Sequence, residues 1–246
     1  MEITTTEFTK DIYETSYPPG IEKDFWNIAR NKLIVNVIRK LRAPKILDIG
    51  CGRGIVTVCI QDAGYDIKGV ELGIVTPINE TIQIYYNTDA IDLPKNIRDE
   101  ITVITLFDVI EHIEKPDEFL KNILSYYPNV NTIVTTVPAR KELWSNYDEN
   151  YGHFRRYTLS SIEDCMQASN CTVTYKQYFF HLLYIMLYIT KLRGKRRNTI
   201  LKAPSGAIAL LMHKIIGWCL YIEALVLPKR LYGSSIICVA KVNNKI

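Results

Sequence analysis

The chain has 246 residues, 48% hydrophobic and 23% charged, which suits one well-cored α/β domain with an elaboration and excludes a disordered or fibrous chain. Its formal net charge of +4 is dispersed and gives no argument for nucleic acid. The 6 cysteines, at 51, 59, 165, 171, 219 and 238, form no CxxC pair and have no histidine at ligand spacing. They predict reduced core thiols and no zinc.

The N-terminal stretch through Pro18-Pro19-Gly20 is polar and turn-rich. It lacks the basic and apolar regions of a signal peptide, so a cytoplasmic location is expected. Phe25, Ile28, Leu33, Val37 and Ile38 recur at near-helical spacing and predict a helix over roughly 23–41. Lys45 to Gly50 is a short apolar run that ends abruptly in glycines, the pattern of a buried parallel strand feeding a turn. A helix over 55–63 follows, closed by Gly64, then strands at 65–72, 82–86 and 101–107. A helix at 116–127 and a strand at 132–137 come next, and two more strands are expected at 172–178 and 235–242. Alternating strands and helices predict a mostly parallel sheet covered on both faces.

Between the last two strands lies an apolar segment. Tyr178 to Thr190 is too short to span a bilayer as a helix. Ala207 to Leu227 is long enough but carries His213, Lys214 and Glu223, which make a span costly. The basic run Lys191, Arg193, Lys195, Arg196, Arg197 lies between the two and suits an anionic membrane surface. Three placements stay open: a helical subdomain capping the acceptor site, peripheral docking on the membrane, and a true span.

The chemistry is concentrated at strand ends. Asp48-Ile49-Gly50-Cys51-Gly52-Arg53-Gly54 forms a turn whose glycines allow close backbone approach to a ligand. Ile55 occupies the sixth position of a would-be GxGxxG, so the dinucleotide fingerprint fails. Glu71 ends the second strand, where an acid can accept both ribose hydroxyls, and Asp89-Ala90 follows the third, where it can read an adenine edge. The alternative for Glu71 and Asp89 is that they are ordinary solvated acids. Phe107-Asp108-Val109-Ile110-Glu111-His112 closes the fourth strand.

The segments ILDIGCGRG, VEL, DAIDLP and FDVIEHI resemble the successive motifs of class I S-adenosylmethionine (SAM)-dependent methyltransferases. Phe25-Trp26 with Ala29-Arg30-Asn31 resembles the FWxxARN element of one subgroup. The run from Val137-Pro138 through Leu143-Trp144-Ser145, Asp148-Glu149 and His153 to Arg155-Arg156-Tyr157-Thr158 resembles its VPxxxxLWSxxDExxxHxRRYT element. The resemblance implies a Rossmann-like, seven-stranded, mostly parallel sheet with helices on both faces and an apolar helical insertion between the last two strands. It divides the chain into an N-terminal helical cap (1–44), a SAM-binding core (45–177), an apolar and basic insertion (178–232) and a final core strand (233–246). Asp48, Gly50, Gly52 and Gly54 would surround the methionine portion, with Cys51 at a variable position of the same turn. Glu71 and Leu72 would hold the ribose, Asp89 and Ala90 the adenine, and Asp108 with Val109 the amino-acid end.

Methyl transfer is an in-line displacement on a sulfonium, which leaves S-adenosylhomocysteine and requires no metal. A hydroxyl acceptor must also lose its proton. His112 and His153 are the histidines best placed as base, with loop-shaping roles as the alternative; His181 and His213, in apolar runs, are expected to be packing residues. Arg155 and Arg156 suit an anionic acceptor, or else pair with Asp148 or Glu149. Trp144 and Tyr157 either wall the acceptor site or anchor their loop. Trp26 and Arg30 either close over the cofactor or pack in their helix. The subgroup's association with glycan assembly points to O-methylation of a glycan precursor, a lipid-linked intermediate or another small metabolite, at the inner face of the membrane. A SAM-binding non-catalytic partner subunit and, more weakly, a nicotinamide oxidoreductase are the alternatives.

Overall fold

The computed structural model describes residues 17–42 and 44–243; the reading of residues 1–16 lies outside them. In chain order the elements are α1 (Phe25–Ile38), β1 (Lys45–Ile49), α2 (Ile55–Asp62), β2 (Asp66–Glu71), β3 (Ile84–Tyr86), α3 (Lys95–Glu100), β4 (Val103–Phe107) and α4 (Pro116–Tyr126). They continue with β5 (Thr132–Pro138), α5 (Asn146–Asn150), α6 (Leu159–Ala168), β6 (Cys171–Phe179), α7 (His181–Leu192), α8 (Ala207–Val226) and β7 (Ser235–Val242).

Seven strands form one sheet in the order β3-β2-β1-β4-β5-β7-β6. β7 runs antiparallel to both of its neighbours, and the other pairings are parallel. This is the Rossmann-like sheet expected of the sequence. The strand order reverses between β1 and β4, which opens a crevice at the carboxyl ends of those strands. The register is level there: Asp48 lies beside Gly69 on one side and Thr105 on the other.

Side chains of successive residues alternate between the two faces of the sheet. On one face Leu47, Ile104 and Ile133 pack with Leu120 and Ile123 of α4 and Ile162 and Met166 of α6. On the other, Ile46, Val103 and Val134 pack with Leu33, Ile34 and Ile38 of α1 and Leu220 and Ala224 of α8. α1 starts at Phe25, two residues later than its periodicity predicts, because the Asp24 carboxylate accepts the Asn27 N–H (2.7 Å) and caps it there. No helix is expected from the sequence reading at α3, α5 or α6; α3 and α5 are short, whereas Leu159, Ile162 and Met166 of α6 do recur at helical spacing. α6 begins where Thr158 and Ser161 form a reciprocal capping box.

α8 lies against α1, so α1 is covered from two sides and buries polar Asn27, Arg30 and Asn31 along with its apolar residues. The contact is close at Gly217. A Cβ there would fall 2.7 Å from Ile28 Cγ2 and 3.1 Å from the Phe25 carbonyl oxygen. Gly217→Leu is therefore expected to force the two helices apart, costing about 1–3 kcal/mol. Thermal melts should show Tm lower by several degrees; an unchanged Tm would mean that α8 does not pack here.

Glu223 explains the acid near the end of this apolar helix. It is buried, and its carboxylate accepts the N–H groups of His181 and of Leu182 (3.1 Å), the exposed donors at the start of α7. His181 and His213 are packing residues, as expected. His181 is buried with Nδ1 at the Tyr232 carbonyl (3.1 Å), and His213 Nδ1 accepts the Phe25 N–H (3.2 Å). By length and composition α8 is apolar enough to cross a bilayer, yet its Gly217, Leu220, Glu223 and Ala224 face the protein.

Candidate functional site

The turn after β1 is built by glycines with positive φ at 50, 52 and 54. At Gly50 a Cβ would meet Val109 Cγ2 at 2.8 Å, and at Gly54 it would meet Ile82 Cδ1 at 2.3 Å. A side chain at either place would need Val109 or Ile82 to shift and a strained left-handed backbone, so glycine lets the chain bend close to the crevice with α2 starting directly behind it. Glu71 fastens this turn from β2: Oε2 accepts the Gly52 N–H (2.7 Å) and Oε1 accepts the Gly73 N–H (3.0 Å). Cys51 packs its sulfur where Gly69 has no side chain, while Leu72 is exposed at the rim.

Asp48 lies beneath the turn, fully buried. Its two carboxylate oxygens accept the Thr105 hydroxyl (2.9 Å) and the Thr57 hydroxyl (2.8 Å). It therefore holds β1, β4 and α2 together under the crevice, and a role in binding acts through that framework. Burial pushes the Asp48 carboxyl up to about 6, against the two hydroxyl donors and the Arg30 charge; the nearby Glu71 adds to the rise. The folded state keeps this proton to about pH 6, whereas an unfolded aspartate releases it near pH 4. Stability from this group is thus full below about pH 4 and falls as pH rises towards about 6, by on the order of 2–3 kcal/mol. Melting wild type and Asp48→Asn from pH 4 to 7.5 should show the difference between them shifting in favour of the variant as pH rises. A pH-independent difference would contradict this.

Asp89 accepts the Ile91 N–H (3.1 Å) at the turn after β3, and Ala90 is buried with its carbonyl accepting the Tyr127 hydroxyl (2.5 Å). Asp108, with φ of 57°, ends β4 and pairs with Arg30 of α1. The Arg30 guanidinium stacks 4.8 Å from the Trp26 ring. Arg30 and Trp26 thus reach the crevice from the N-terminal helix. Tyr17 was not signalled by the sequence. Its ring lies over Gly52, and Arg53 fixes its carbonyl (2.6 Å).

Beside the crevice the segments after β4 and β5 meet. Ser145 and Asp148 form the capping box of α5, which gives the LWSxxD element its local reason. Asp148 is fully buried and central. Oδ1 faces His153 Nδ1 (2.9 Å) and accepts Arg156 Nε–H (2.7 Å), while Oδ2 accepts the Ser145 N–H (2.9 Å). Burial alone would raise the Asp148 carboxyl, but the His153 hydrogen bond and the Arg156 charge outweigh it and hold it at about 2. The rings of His112 and His153 meet edge to face at 4.7 Å. Burial, then the neighbouring His153, brings the His112 imidazole down to about 3, which makes it a weak proton acceptor. Next to it Glu111 is buried, and burial followed by the Asp108 charge pushes its carboxyl well above the usual range.

Three expectations for this loop are corrected. Arg156 does not face an acceptor: its side chain is 4% exposed and committed to Asp148 and the Ala139 carbonyl (3.1 Å). Arg155 donates to the Glu114 carbonyl (2.6 Å), so the two guanidiniums do not act as a pair. Tyr157 is buried with its hydroxyl at the Ile110 carbonyl (3.3 Å) and anchors the loop rather than walling a pocket. Trp144, by contrast, lines a surface groove with Asn146, Lys191, Lys195, Arg196 and Arg197. Asn146 and the Arg197 backbone exchange two hydrogen bonds (2.9 and 3.0 Å), which join the signature loop to the basic run. Glu111 and Asp148 were missed as the centre of this site, although an acid beside His112 and the S-x-x-D spacing were both visible.

A family model described as a methyltransferase domain matches residues 25–176, more than half of the chain. The chain belongs to this methyltransferase family. Among curated proteins the methyltransferase is similar to the ubiquinone biosynthesis O-methyltransferase of Rickettsia typhi, 28% identical over 125 residues, covering 48% of this chain and 49% of the relative. It thus spans about half of that relative's length. The Coxiella burnetii protein of the same name is 23% identical over 179 residues, covering 65% of this chain and 72% of the relative. Among solved structures, a putative methyltransferase in complex with the Trm112 activator of Haloferax volcanii shares the fold, with a TM-score of 0.58 at 11% identity over 97% of this chain and 100% of that one. Magnesium protoporphyrin IX methyltransferase from Synechocystis, solved with bound S-adenosylhomocysteine, gives a TM-score of 0.50 at 12% identity over 95% and 92%. The chain is a methyltransferase by family, and SAM is the methyl donor that its sequence motifs imply. The glycine turn fits that cofactor: Gly50 and Gly54 leave no space for side chains, and the acid of Glu71 stands beside them.

Proposed function

We propose that the enzyme O-methylates a hydroxyl on an amphiphilic small molecule, an acceptor with an apolar tail and an anionic head, presented at the cytoplasmic face of an anionic membrane. When bound, SAM supplies the electrophilic methyl group. The turn at 50–54 and Glu71 orient it, Arg30 and Asp108 close the crevice beside it, and His153, in a cluster with Glu111 and His112, takes the hydroxyl proton. Within that cluster Asp148 holds His153 by Nδ1, leaving Nε2 for the chemistry. The names of the curated relatives support oxygen as the methylated atom.

The observation that carries the acceptor class is the surface of the insertion. Leu182, Ile185 and Met186 of α7 and Leu211, Ile215 and Ile222 of α8 are all at least half exposed. Beside them lies the basic groove of Lys191, Lys195 and Arg196, joined through Asn146 to the loop that carries His153. An apolar face flanked by cations suits a lipid tail and a phosphate or carboxylate head. The anion-holding role expected of Arg155 and Arg156 passes to this groove.

Sedimentation with vesicles tests the reading. The enzyme should pellet with vesicles containing anionic lipid and remain in solution with zwitterionic ones, and Lys195→Glu with Arg196→Glu should abolish the difference. Radiolabelled methyl from SAM should enter the organic-extractable fraction of a source-cell lysate. Label confined to water-soluble neutral products, with no vesicle binding, overturns the acceptor class and leaves methyl transfer standing.

A further inference from the structure

We propose that Arg197 binds the anionic group of the acceptor, a carboxylate or a phosphate monoester, at the edge of the loop that carries His153. The assignment rests on the reading of His153 as the group that takes the acceptor's hydroxyl proton. Arg197 belongs to the basic run, but its surroundings differ from those of its neighbours. Lys191, Lys195 and Arg196 line the same groove and are exposed, whereas Arg197 is half-buried. Its guanidinium carbon lies 4.2 Å from the centre of the Tyr147 ring. A ring against one face of a guanidinium leaves the edge of its planar fork free for a carboxylate or a phosphate.

The second observation is that this cation has no counter-charge. Among the described residues no carboxylate lies within ion-pair distance of it, and no acceptor takes a hydrogen bond from its side chain. Asp148 on the adjoining helix is taken by His153, Arg156 and the Ser145 N–H. Burial, opposed by Tyr147 and aided by the charge of Arg156, holds the Arg197 guanidinium below its ordinary range. A partly desolvated cation without a partner is costly. An anion entering the groove offsets that cost.

The third observation is that Arg197 is fixed in place relative to the reacting group. Its backbone N–H and carbonyl pair with the Asn146 side chain (2.9 and 3.0 Å), and the Thr199 carbonyl accepts the Tyr151 hydroxyl (3.1 Å). From Tyr147 the rings continue to Tyr151 at 4.4 Å, and from Tyr151 to His153 at 6.5 Å. A segment that is neither helix nor strand is thereby held on the rings that lead to His153. A forked donor held in advance loses little freedom when an anion arrives. The fold commits Arg155 and Arg156 elsewhere and leaves Arg197, distant in the sequence, as the guanidinium beside this loop that is still open to an acceptor. The groove is thus divided: exposed Lys195 and Arg196 meet the membrane, and Arg197 reads the acceptor.

The test uses the full-length chain. Methyl transfer from labelled SAM, at saturation, into the acceptor fraction of a source-cell lysate is followed against the amount of that fraction. Arg197→Gln should raise the apparent KM for the fraction about 10-fold or more, with kcat within about 2-fold of wild type. Arg197→Lys, which keeps the charge and loses the fork, should fall between the two. SAM affinity by calorimetry should not change, which also shows that the variants are folded. Both variants should still pellet with phosphatidylglycerol vesicles. Inorganic phosphate titrated calorimetrically into the SAM-saturated protein at constant ionic strength should bind wild type and Arg193→Gln alike, and Arg197→Gln about 10-fold more weakly or less. An unchanged KM overturns the assignment, and if vesicle binding is lost with it, the anion at Arg197 is a lipid headgroup. Loss of SAM affinity also overturns it and makes Arg197 a support of the fold. If no acceptor takes up label, the functional reading fails, and the phosphate titration still decides the site.

Discussion

Replacing Glu71 with alanine is expected to weaken SAM binding about 100-fold or more and to lower thermal stability as well. In the folded protein the Glu71 carboxylate accepts the Gly52 and Gly73 N–H groups. It therefore shapes the turn that receives the cofactor and stands where a ribose would be held. Each buried donor left without an acceptor costs about 1–3 kcal/mol, and the lost ribose contact adds to that when the cofactor is present. Glu71→Gln keeps one oxygen acceptor and should fall between the two. Titration calorimetry with SAM on the three proteins measures this directly. Equal affinity in wild type and Glu71→Ala would remove Glu71 from the cofactor site.

His153→Ala should lower kcat by on the order of 10²-fold or more while leaving SAM affinity unchanged. His153 is oriented by Asp148 and meets the His112 ring, and both lie outside the glycine turn. Removing it takes away the group positioned for proton transfer but none of the contacts around Gly50, Gly52 and Glu71. Single-turnover transfer to the acceptor, paired with calorimetry, separates the two effects. A parallel loss of SAM affinity would make His153 a structural support of the crevice instead.

The legibility of this protein in its sequence follows a physical divide. Gly50, Gly52 and Gly54 are readable because their constraint is local: a backbone bent to positive φ excludes other residues wherever it occurs. The strands are readable because β1, β4 and β5 are buried on both faces and appear as apolar runs. Partnership is not local. Arg155 and Arg156 look equivalent in the sequence, yet one takes a backbone carbonyl and the other a buried carboxylate. Which one is consumed depends on where α5 places Asp148. Glu111 is likewise an ordinary acid until the signature loop folds over it. In α8 the residues that face the protein form a narrow stripe in a helix apolar nearly all round, so periodicity cannot tell its buried face from its exposed one.

The contact between α8 and α1 governs how this protein can be handled. A natural wish is to delete the sticky insertion and keep a tractable catalytic core. That excision would strip the cover from Phe25 and Ile28, and α1 is the helix whose Arg30 reaches Asp108 at the cofactor crevice. The insertion is therefore not a removable module, and a truncated gene would yield a core with a new apolar wound beside its own active site. Solubility is better sought by recolouring the outer surface, at the cost of the vesicle binding proposed above: charged replacements at Leu211, Ile215 and Ile222 leave Gly217, Leu220 and Glu223 seated against the body of the enzyme.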